Sequence, residues 1–281
     1  MVSFLARAPE ITMAIEAMSL HGRLAVVSGA AGGIGQAIAQ KLASEGARLV
    51  INDLDADPAH ETVEMLKKSG VDAVACVGNV SAPDFAERFI KTAVDNFKGI
   101  DIIVNNAGFT WDDVIQKMTD EQWYAILDCH MTAPFRILRA AHPVMKAQAH
   151  ADQEAGRQIY RKVVNVSSTS ALNGNAGQMN YSSAKAGVIG MTRALSREWG
   201  RFNVNVNAVA FGLIQGRRMA RGPAKDIAID KLAQVGARIL PGVDLGLWLL
   251  LFVIACLGGL VGAARRERER GESGPPHKRV D

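Results

Sequence analysis

Tyr181 and Lys185 are two ionisable side chains whose spacing suits proton transfer. They lie four residues apart in a segment with apolar residues at helical intervals that runs to Trp199. Because residues i and i+4 share one face of a helix, we expect the Lys185 ammonium close to the Tyr181 phenol. A free phenol titrates at about pH 10, and a nearby cation lowers its pKa. Tyr181 is therefore predicted to exchange a proton with a substrate hydroxyl or carbonyl oxygen.

Ser168 lies thirteen residues before Tyr181, just after the predicted strand 162–166. Its hydroxyl is placed to hold the same substrate oxygen by a hydrogen bond. The alternative is a chance spacing, with the tyrosine at the edge of the core and the lysine extended along the surface. The glycine-rich turn near the start of the chain favours the catalytic interpretation.

Residues 28–35 form that turn, with the pattern [ST]-G-x-x-x-G-x-G. An apolar stretch typical of a buried strand, Leu24–Val27, precedes it, and a predicted helix over 36–43 follows it. Free backbone N–H groups and a helix N-terminus then meet at one point, which suits a pyrophosphate. The alternative is a glycine-rich turn with a structural role only.

Asp53 follows the second predicted strand, 48–52, and lies 18 residues past Gly35. At about this offset a carboxylate accepts the ribose hydroxyls of NAD. It would repel the 2′-phosphate of NADP, and residues 28–35 contain no lysine or arginine to attract one. NAD(H) is therefore the predicted cofactor, with NADP(H) disfavoured; the alternative is an exposed loop aspartate.

Strands and helices alternate along the chain, which predicts an α/β fold with a parallel sheet and helices on both faces. Helices are predicted over 59–69 and 83–97, and a long one begins at the capping box formed by Thr119 and Gln122. The polar segment 148–158 is expected to be a surface insertion. Ligands of such sheets lie beyond the carboxyl ends of the strands. The predicted strands are Leu24–Val27, 48–52, 73–77, 100–104, 162–166 and 203–209.

Composition favours one large α/β domain and argues against a nucleic-acid-binding protein and a secreted one. The chain has 281 residues, 48% hydrophobic, and a formal charge of +4. Residues 265–281 carry six lysines and arginines against four acids, so this tail supplies +2 of the net charge. The rest of the chain has no basic stripe that would bind nucleic acid. Three separated cysteines predict buried thiols in a reducing compartment, and no metal site is predicted. No secretory signal is expected, and a cytoplasmic location is predicted.

Taken together, these motifs resemble the short-chain dehydrogenase/reductase family, most closely the branch of 3-oxoacyl-thioester reductases and 3-hydroxyacyl dehydrogenases. The resemblance covers about residues 21–212. It implies a Rossmann-type doubly wound fold, hydride transfer between NAD(P) and a secondary alcohol or ketone, and a homo-oligomer. The implied cofactor-binding residues are Ser28, Gly29, Gly33, Ile34, Gly35, Asp53, Asn79, Val80, Asn106, Ala107, Gly108, Tyr181, Lys185, Gly212 and Ile214.

The resemblance also assigns roles. Tyr181 is the implied acid/base, Ser168 orients the substrate oxygen, and Lys185 binds the nicotinamide ribose and, with the positive nicotinamide, lowers the pKa of the phenol. The family's relay asparagine is His130 here. This histidine is expected either to relay protons or to pack at an interface.

The C-terminal part departs from the family. Phe211-Gly212 stands for Pro-Gly, Gly216 stands for the expected threonine, and no seventh strand is recognisable. We expect an extension over 1–20, the catalytic domain over 21–242, an apolar segment over 243–264 and a charged disordered tail over 265–281. Residues 245–264 carry no charge. They could span a membrane or be buried, or the ending could come from a shifted reading frame; a soluble, atypical ending is preferred.

Three functions follow from these observations. The first is an NAD(H)-dependent oxidoreductase that interconverts a small-molecule alcohol and ketone, with 3-oxoacyl and 3-hydroxyacyl thioesters as the candidate substrates. The second is a cofactor-binding protein with little turnover, because its ending is abnormal. The third is a membrane-tethered interaction protein. The complete set of Ser168, Tyr181 and Lys185 favours the first.

Overall fold

Six short, mostly buried runs of apolar residues form one parallel sheet. The computed structural model describes residues 19–212. The strands are β1 (Leu24–Val27), β2 (Arg48–Ile51), β3 (Ala73–Ala75), β4 (Ile102–Asn105), β5 (Arg161–Ser168) and β6 (Val204–Phe211).

Helices connect successive strands, and the longer ones pack an apolar side against the sheet. The capping box at the start of α4 is confirmed: Thr119 and Gln122 each accept a hydrogen bond from the other's backbone N–H. The helices are α1 (Gly33–Ser44), α2 (Ala56–Lys68), α3 (Phe85–Phe97), α4 (Asp120–Leu127), α5 (Ala133–Glu154), α6 (Ser170–Asn173) and α7 (Met179–Trp199). The bounds of the strands and of α1 to α3 agree with the predicted ones to within three residues.

The strand order is β3-β2-β1-β4-β5-β6, so the direction of winding reverses between β1 and β4. Alternate residues of β1 enter two different hydrophobic clusters, Ala25 and Val27 on one face and Leu24 and Val26 on the other. A strand that is buried on both faces shows this alternation. The predicted Rossmann-type, doubly wound α/β fold is therefore confirmed.

A π turn interrupts the long helix that was predicted to follow Thr119. Residues Asp128–Thr132 form this turn between α4 and α5, and the Ala133 N–H donates to the carbonyl of Asp128, five residues back. In a regular helix the ring of Pro134 would clash with the carbonyl of His130, and the wider turn accommodates it. The prediction of one continuous helix was wrong because it ignored this proline.

The segment 148–158, predicted to be a surface insertion, is largely helical and partly buried. Helix α5 continues to Glu154, and the Gln148 side chain accepts a hydrogen bond from the Ile100 N–H at 3.0 Å. Asp152 is buried. Most of the other side chains are exposed, so the predicted surface position is correct, but the segment continues α5 instead of forming a separate insertion.

Asp152 forms a buried ion pair with Arg161 at the start of β5. Arg161 Nη2 donates to Asp152 Oδ2 at 2.8 Å, and Arg157 Nη2 donates to Oδ1 at 2.9 Å. Burial alone would raise the pKa of Asp152, but the hydrogen bonds and charges of Arg161 and Arg157 outweigh burial and lower it. This pair joins the end of α5 to the sheet.

Several predictions fall outside the described residues. These are most of the N-terminal extension, the domain boundary at 242, the apolar segment 243–264, the tail 265–281 and Cys256. Cys76 and Cys129 are buried and form no disulfide among residues 19–212, as predicted. Within residues 19–212, no helix is long and apolar enough to cross a bilayer.

Replacing Asp152 tests the buried pair. Asp152→Asn should lower the free energy of unfolding by about 3 kcal/mol, because the buried Arg161 charge then keeps only its longer contact with Asp101, 3.7 Å from its Nε. The matched control is Asp95→Asn, which removes a carboxylate from an exposed pair with Lys91 and should cost less than about 0.5 kcal/mol. Urea unfolding of both variants measures the difference, and equal losses would contradict the assignment.

Candidate active site

The glycine turn after β1 is fastened to the segment after β4. The buried Ser28 Oγ accepts hydrogen bonds from the N–H groups of Asn106 and Ala107, each at 3.1 Å. The Asn106 side chain donates to the carbonyls of Ser28 and Gly29 at 3.0 and 2.9 Å. These bonds bring the two loops together where the winding of the sheet reverses, which is where ligands of such folds bind.

Two glycines of this turn have no room for a side chain. Gly29 has a φ of +64°, and a Cβ there would lie 2.7 Å from the Ala107 Cα. A Cβ on Gly35 would overlap the carbonyl of Gly29. By contrast, the Cβ positions of Gly32 and Gly33 have nothing within 4 Å. The turn therefore packs tightly on the protein side and is open beside the first turn of α1.

Asn52 and Asp53 fix the end of β2 against this turn. The Asn52 side chain accepts from the Gly29 N–H at 3.4 Å and donates to the Cys76 and Gly78 carbonyls at 3.0 and 2.9 Å. Asp53 Oδ2 accepts from the Ala31 N–H at 3.0 Å. The sequence prediction named Asp53 but placed Asn52 only at the end of a predicted strand. The structure shows that this buried amide links three strand ends.

Ser168, Tyr181 and Lys185 are brought together by β5 and α7. Ser168 ends β5, and α7 packs on that strand with Tyr181 and Lys185 on its buried side. Tyr181 is 8% exposed and Lys185 is 4% exposed. The Lys185 Nζ lies 5.7 Å from the centre of the Tyr181 ring and donates to the Val166 carbonyl at 2.6 Å. The predicted shared helical face is therefore present.

Burial governs the ionisation of both groups. Burial raises the pKa of Tyr181, a hydrogen bond from Ser168 opposes that rise, and the charge of Asp112 adds to it. Burial also lowers the pKa of Lys185 to about 8. The lower phenol pKa expected from Lys185 is thus not found in the protein alone, because burial has the larger effect.

His130 lies on the π turn with its ring against Tyr181. The two ring centres are 5.2 Å apart and the planes meet at 88°. The ring is buried, and its Nε2 lies 2.7 Å from the Phe109 carbonyl, so a proton on Nε2 donates to that oxygen. Nδ1 has no hydrogen-bond partner among residues 19–212. A Cβ at Gly108 would overlap this ring, so that glycine makes room for the histidine.

The remaining predicted residues lie at the same edge of the sheet, with one exception. Asn79 follows β3 and accepts a hydrogen bond from the Ser81 N–H at 2.9 Å. The side chains of Val80 and Ile34 pack into the hydrophobic core or against it. Gly212 directly follows β6. Ile214 lies outside the described residues.

Sequence reasoning missed Asn180, Gln178 and Asp112. The fully buried Asn180 donates to the carbonyls of Trp111 and Gln122, each at 3.1 Å. Its side-chain oxygen accepts from the Tyr181 N–H at 2.7 Å, so it supports the start of α7. The only local signal was an asparagine next to Tyr181. Gln178 and Asp112 gave none, because their contact joins distant parts of the chain.

Comparison with known proteins agrees with this geometry. A profile of the family described as short chain dehydrogenase matches residues 23–226. The chain belongs to the short-chain dehydrogenase family. Like the other members, this short-chain dehydrogenase is an oxidoreductase that acts on CH–OH groups or ketones of small molecules with a nicotinamide cofactor.

Three relatives illustrate the similarity. A 3-oxoacyl-[acyl-carrier-protein] reductase from Synechocystis is 38% identical over 198 residues, 70% of this chain and 76% of that protein. The peroxisomal hydratase-dehydrogenase-epimerase of Saccharomyces cerevisiae is 35% identical over 202 residues, 69% of this chain, but the matched part spans only 21% of the yeast protein. The crystal structure of a short chain dehydrogenase from Mycobacterium avium gives a TM-score of 0.65 at 33% identity, with 77% of each chain covered.

The buried imidazole of His130 should make stability depend on pH. Burial, together with the nearby Lys185 charge, lowers the pKa of His130 well below its usual value of 6.5, while the Phe109 hydrogen bond opposes this shift. As pH falls below 6.5, an unfolded chain takes up a proton here that the folded chain does not. Folding should therefore lose up to about 2 kcal/mol between pH 7 and pH 5.

Urea unfolding at these two pH values measures the loss. His130→Asn should reduce the difference between the two pH values, whatever its effect on absolute stability. The same substitution at the exposed His60 on α2 should leave the difference unchanged. A His130→Asn protein that loses as much stability as the wild type would contradict the burial effect.

Proposed function

We propose that this protein interconverts a secondary alcohol and a ketone by hydride transfer with NAD(H), acting on 3-oxoacyl or 3-hydroxyacyl thioesters. The observation that carries the proposal is the meeting of Ser168, Tyr181 and Lys185 at the edge of the sheet that also holds the glycine turn.

The turn after β1 fits a dinucleotide. The space beside Gly32 and Gly33 is open, and it lies at the start of α1, where the first N–H groups of a helix have no partner within the helix. Such N–H groups, with the positive end of the helix dipole, bind phosphate. A bound nicotinamide would supply or accept the hydride. Ser28 and Asn106 shape this surface by holding the two loops together, and Lys185 would bind the ribose.

Tyr181 moves the proton in this proposal. When a ketone is reduced, the phenol O–H donates its proton to the oxygen that receives negative charge; when an alcohol is oxidised, the phenolate accepts it back. Ser168 holds the same oxygen by hydrogen bond. Burial raises the pKa of Tyr181, so the phenol is protonated at neutral pH and is ready for reduction. A positive nicotinamide would favour the phenolate needed for oxidation.

His130 is proposed as part of the proton path behind Tyr181. Its ring contacts Tyr181, and its Nδ1 is a buried acceptor without a partner in residues 19–212. Because the pKa of His130 is lowered well below its usual value, the ring is neutral and can accept a proton or a water hydrogen. Packing behind Tyr181 is the alternative role, and both keep the ring in the same place.

An acyl substrate is supported by apolar side chains beside the site. Ile115 lies in the segment between β4 and α4, and Leu172 lies on α6, four residues after Ser168; they are 62% and 66% exposed. Met179 and Val114, near them in the chain, are also exposed. Apolar chains bind to such surfaces because the contact removes apolar area from water. The 3-oxoacyl reductase from Synechocystis, at 38% identity, supports the same substrate class.

A homo-oligomer is also part of the proposal. The family resemblance implies it, and one observation supports it. Phe135 on α5 is 49% exposed, and the guanidinium of Arg139 stacks 5.0 Å from the centre of its ring. A second subunit on this face would bury that ring.

Removing the Tyr181 hydroxyl tests the proposed chemistry. Tyr181→Phe should lower kcat for a short 3-oxoacyl thioester by at least about 100-fold, because the transferable proton is lost. The NADH dissociation constant, measured by fluorescence, should stay within about twofold. Tyr124→Phe, on an exposed side chain of α4, is the control and should keep full activity. Retention of most of the rate by Tyr181→Phe would overturn the assignment.

Asp53 tests the cofactor preference. Each of its oxygens accepts one backbone N–H, from Ala31 and Leu54, and keeps a lone pair for a ribose hydroxyl. The wild type should therefore use NADH in preference to NADPH. Asp53→Ser should lower the ratio of kcat/KM for the two cofactors by about tenfold or more, since the repulsion of a 2′-phosphate is lost. The same change at Asp57 on α2 should not alter the ratio, and a wild-type ratio of one would refute the preference.

A further inference from the structure

Gln178, the residue before α7, joins several groups around the mouth of the site. Its Nε2 donates to Asp112 Oδ2 at 2.7 Å. Its Oε1 accepts from the Ser170 hydroxyl at 3.2 Å and from the Asn175 amide at 3.0 Å. The side chain thus uses both its amide nitrogen and its carbonyl oxygen, and it lies three residues before Tyr181.

Backbone contacts reinforce this junction. Asp113 and Gln178 form a parallel β-bridge, and the Asp113 N–H donates to the Gly177 carbonyl at 2.9 Å. The Ser182 N–H donates to the Gln178 carbonyl at 2.7 Å in the first turn of α7. The segment after β4 and the segment before α7 are therefore held together across the site.

The same junction reaches Ser168. The Ser170 N–H donates to the Ser168 Oγ at 3.2 Å, while the Ser170 hydroxyl donates to Gln178. With that acceptor position filled, the Ser168 hydroxyl proton can be directed at Tyr181, whose phenol it contacts. A continuous set of hydrogen bonds runs from Asp112 through Gln178 and Ser170 to Ser168.

We propose that Gln178 and Asp112 are positioning residues: the hydrogen bonds from Asp112 through Gln178 and Ser170 hold Ser168 in register with Tyr181. The charge of Asp112 also raises the pKa of Tyr181, which favours the proton-donating form of the phenol. This inference rests on the proposed function for its kinetic consequences. Its electrostatic part concerns the protein alone. It assigns a role to two residues that do not touch the reacting oxygen.

The charges around Tyr181 make Asp112 the one that opposes phenolate. Lys185 on the same helix, with a pKa of about 8, has lost its proton before the phenol ionises, and His130 on the π turn is neutral. Asp112 is exposed, as are the acids of the neighbouring α4 and π turn, but it is the acid whose charge acts on the phenol. The cations of β5 lie at the opposite end of that strand. These more distant groups are Asp120, Glu121 and Asp128, and Arg161 and Lys162.

Asp112→Asn and Asp113→Asn form a matched pair for the electrostatic part. Both remove one negative charge, but the Asp113 side chain bonds the N–H of Val114. Asparagine at 112 keeps an oxygen that can accept from Gln178. Asp112→Asn should therefore move the pKa of Tyr181 down by about 0.5, whereas Asp113→Asn should leave it in place. Gln178→Glu, which adds a carboxylate there, should move it up.

Tyrosinate absorbance of the cofactor-free protein measures this ionisation without turnover. Each variant is compared with the same variant carrying Tyr181→Phe, so that Tyr124 and Tyr160 cancel. Equal shifts for Asp112→Asn and Asp113→Asn, or no shift for either, would overturn the electrostatic role. A wild type that binds NADH but reduces no acyl thioester would refute the proposed function while leaving this result intact.

Kinetics test the positioning part. Gln178→Ala should lower kcat by about tenfold, because Ser168 and Tyr181 lose their shared support, with the NADH dissociation constant unchanged within about twofold. The acid limb of the rate of alcohol oxidation should shift to lower pH in Asp112→Asn, parallel to the absorbance titration. A Gln178→Ala protein with wild-type kcat, or one that loses NADH affinity as much as kcat, would overturn the role.

Discussion

The hydrogen bonds between Ser28 and Asn106 are the contact on which the site depends. They close the two loops at the point where the winding of the sheet reverses, and they involve the buried Ser28 hydroxyl and the side-chain nitrogen of Asn106. The close approach of Gly29 to Ala107 follows from this contact, because the loops can meet only if no side chain intervenes. From Asn106 the chain continues to Phe109, which binds His130, and to Asp112, which binds Gln178. A shift of this one contact would therefore move both sides of the cleft.

A second set of buried polar contacts fixes the position of α7 along the sheet. Asn105 on β4 donates to Asn165 on β5 at 2.8 Å, and Asn165 donates to Thr192 on α7 at 2.9 Å. A buried amide lowers the stability of a protein unless its hydrogen bonds are made. These hydrogen bonds therefore require one register of the two strands and one position of α7. The position of α7 in turn determines where Tyr181 and Lys185 lie relative to the end of β5.

Local patterns predicted the fold and most of the site, because each rests on neighbours in the sequence. The four-residue spacing of Tyr181 and Lys185, the capping box at Thr119 and the glycine spacing all act within one turn or one helix. What was missed depends on distant partners. Asp112 and Gln178 are 66 residues apart, and Asp152 looks like a solvent-exposed acid until Arg161 is placed beside it. The π turn was readable from Pro134 but was overlooked.

The two ends of β5 have different roles, one in stability and one in the site. Arg161 starts the strand and takes part in the buried ion pair, while Ser168 ends it at the cleft. Seven steps of a strand separate them by about 23 Å, and substitutions so far apart generally have additive effects. Substitutions at the Arg161 end of the sheet can therefore raise or lower stability over evolutionary time without changing the catalytic rate. In laboratory evolution, stabilising substitutions at the Arg161 end can offset the stability lost through substitutions at the cleft.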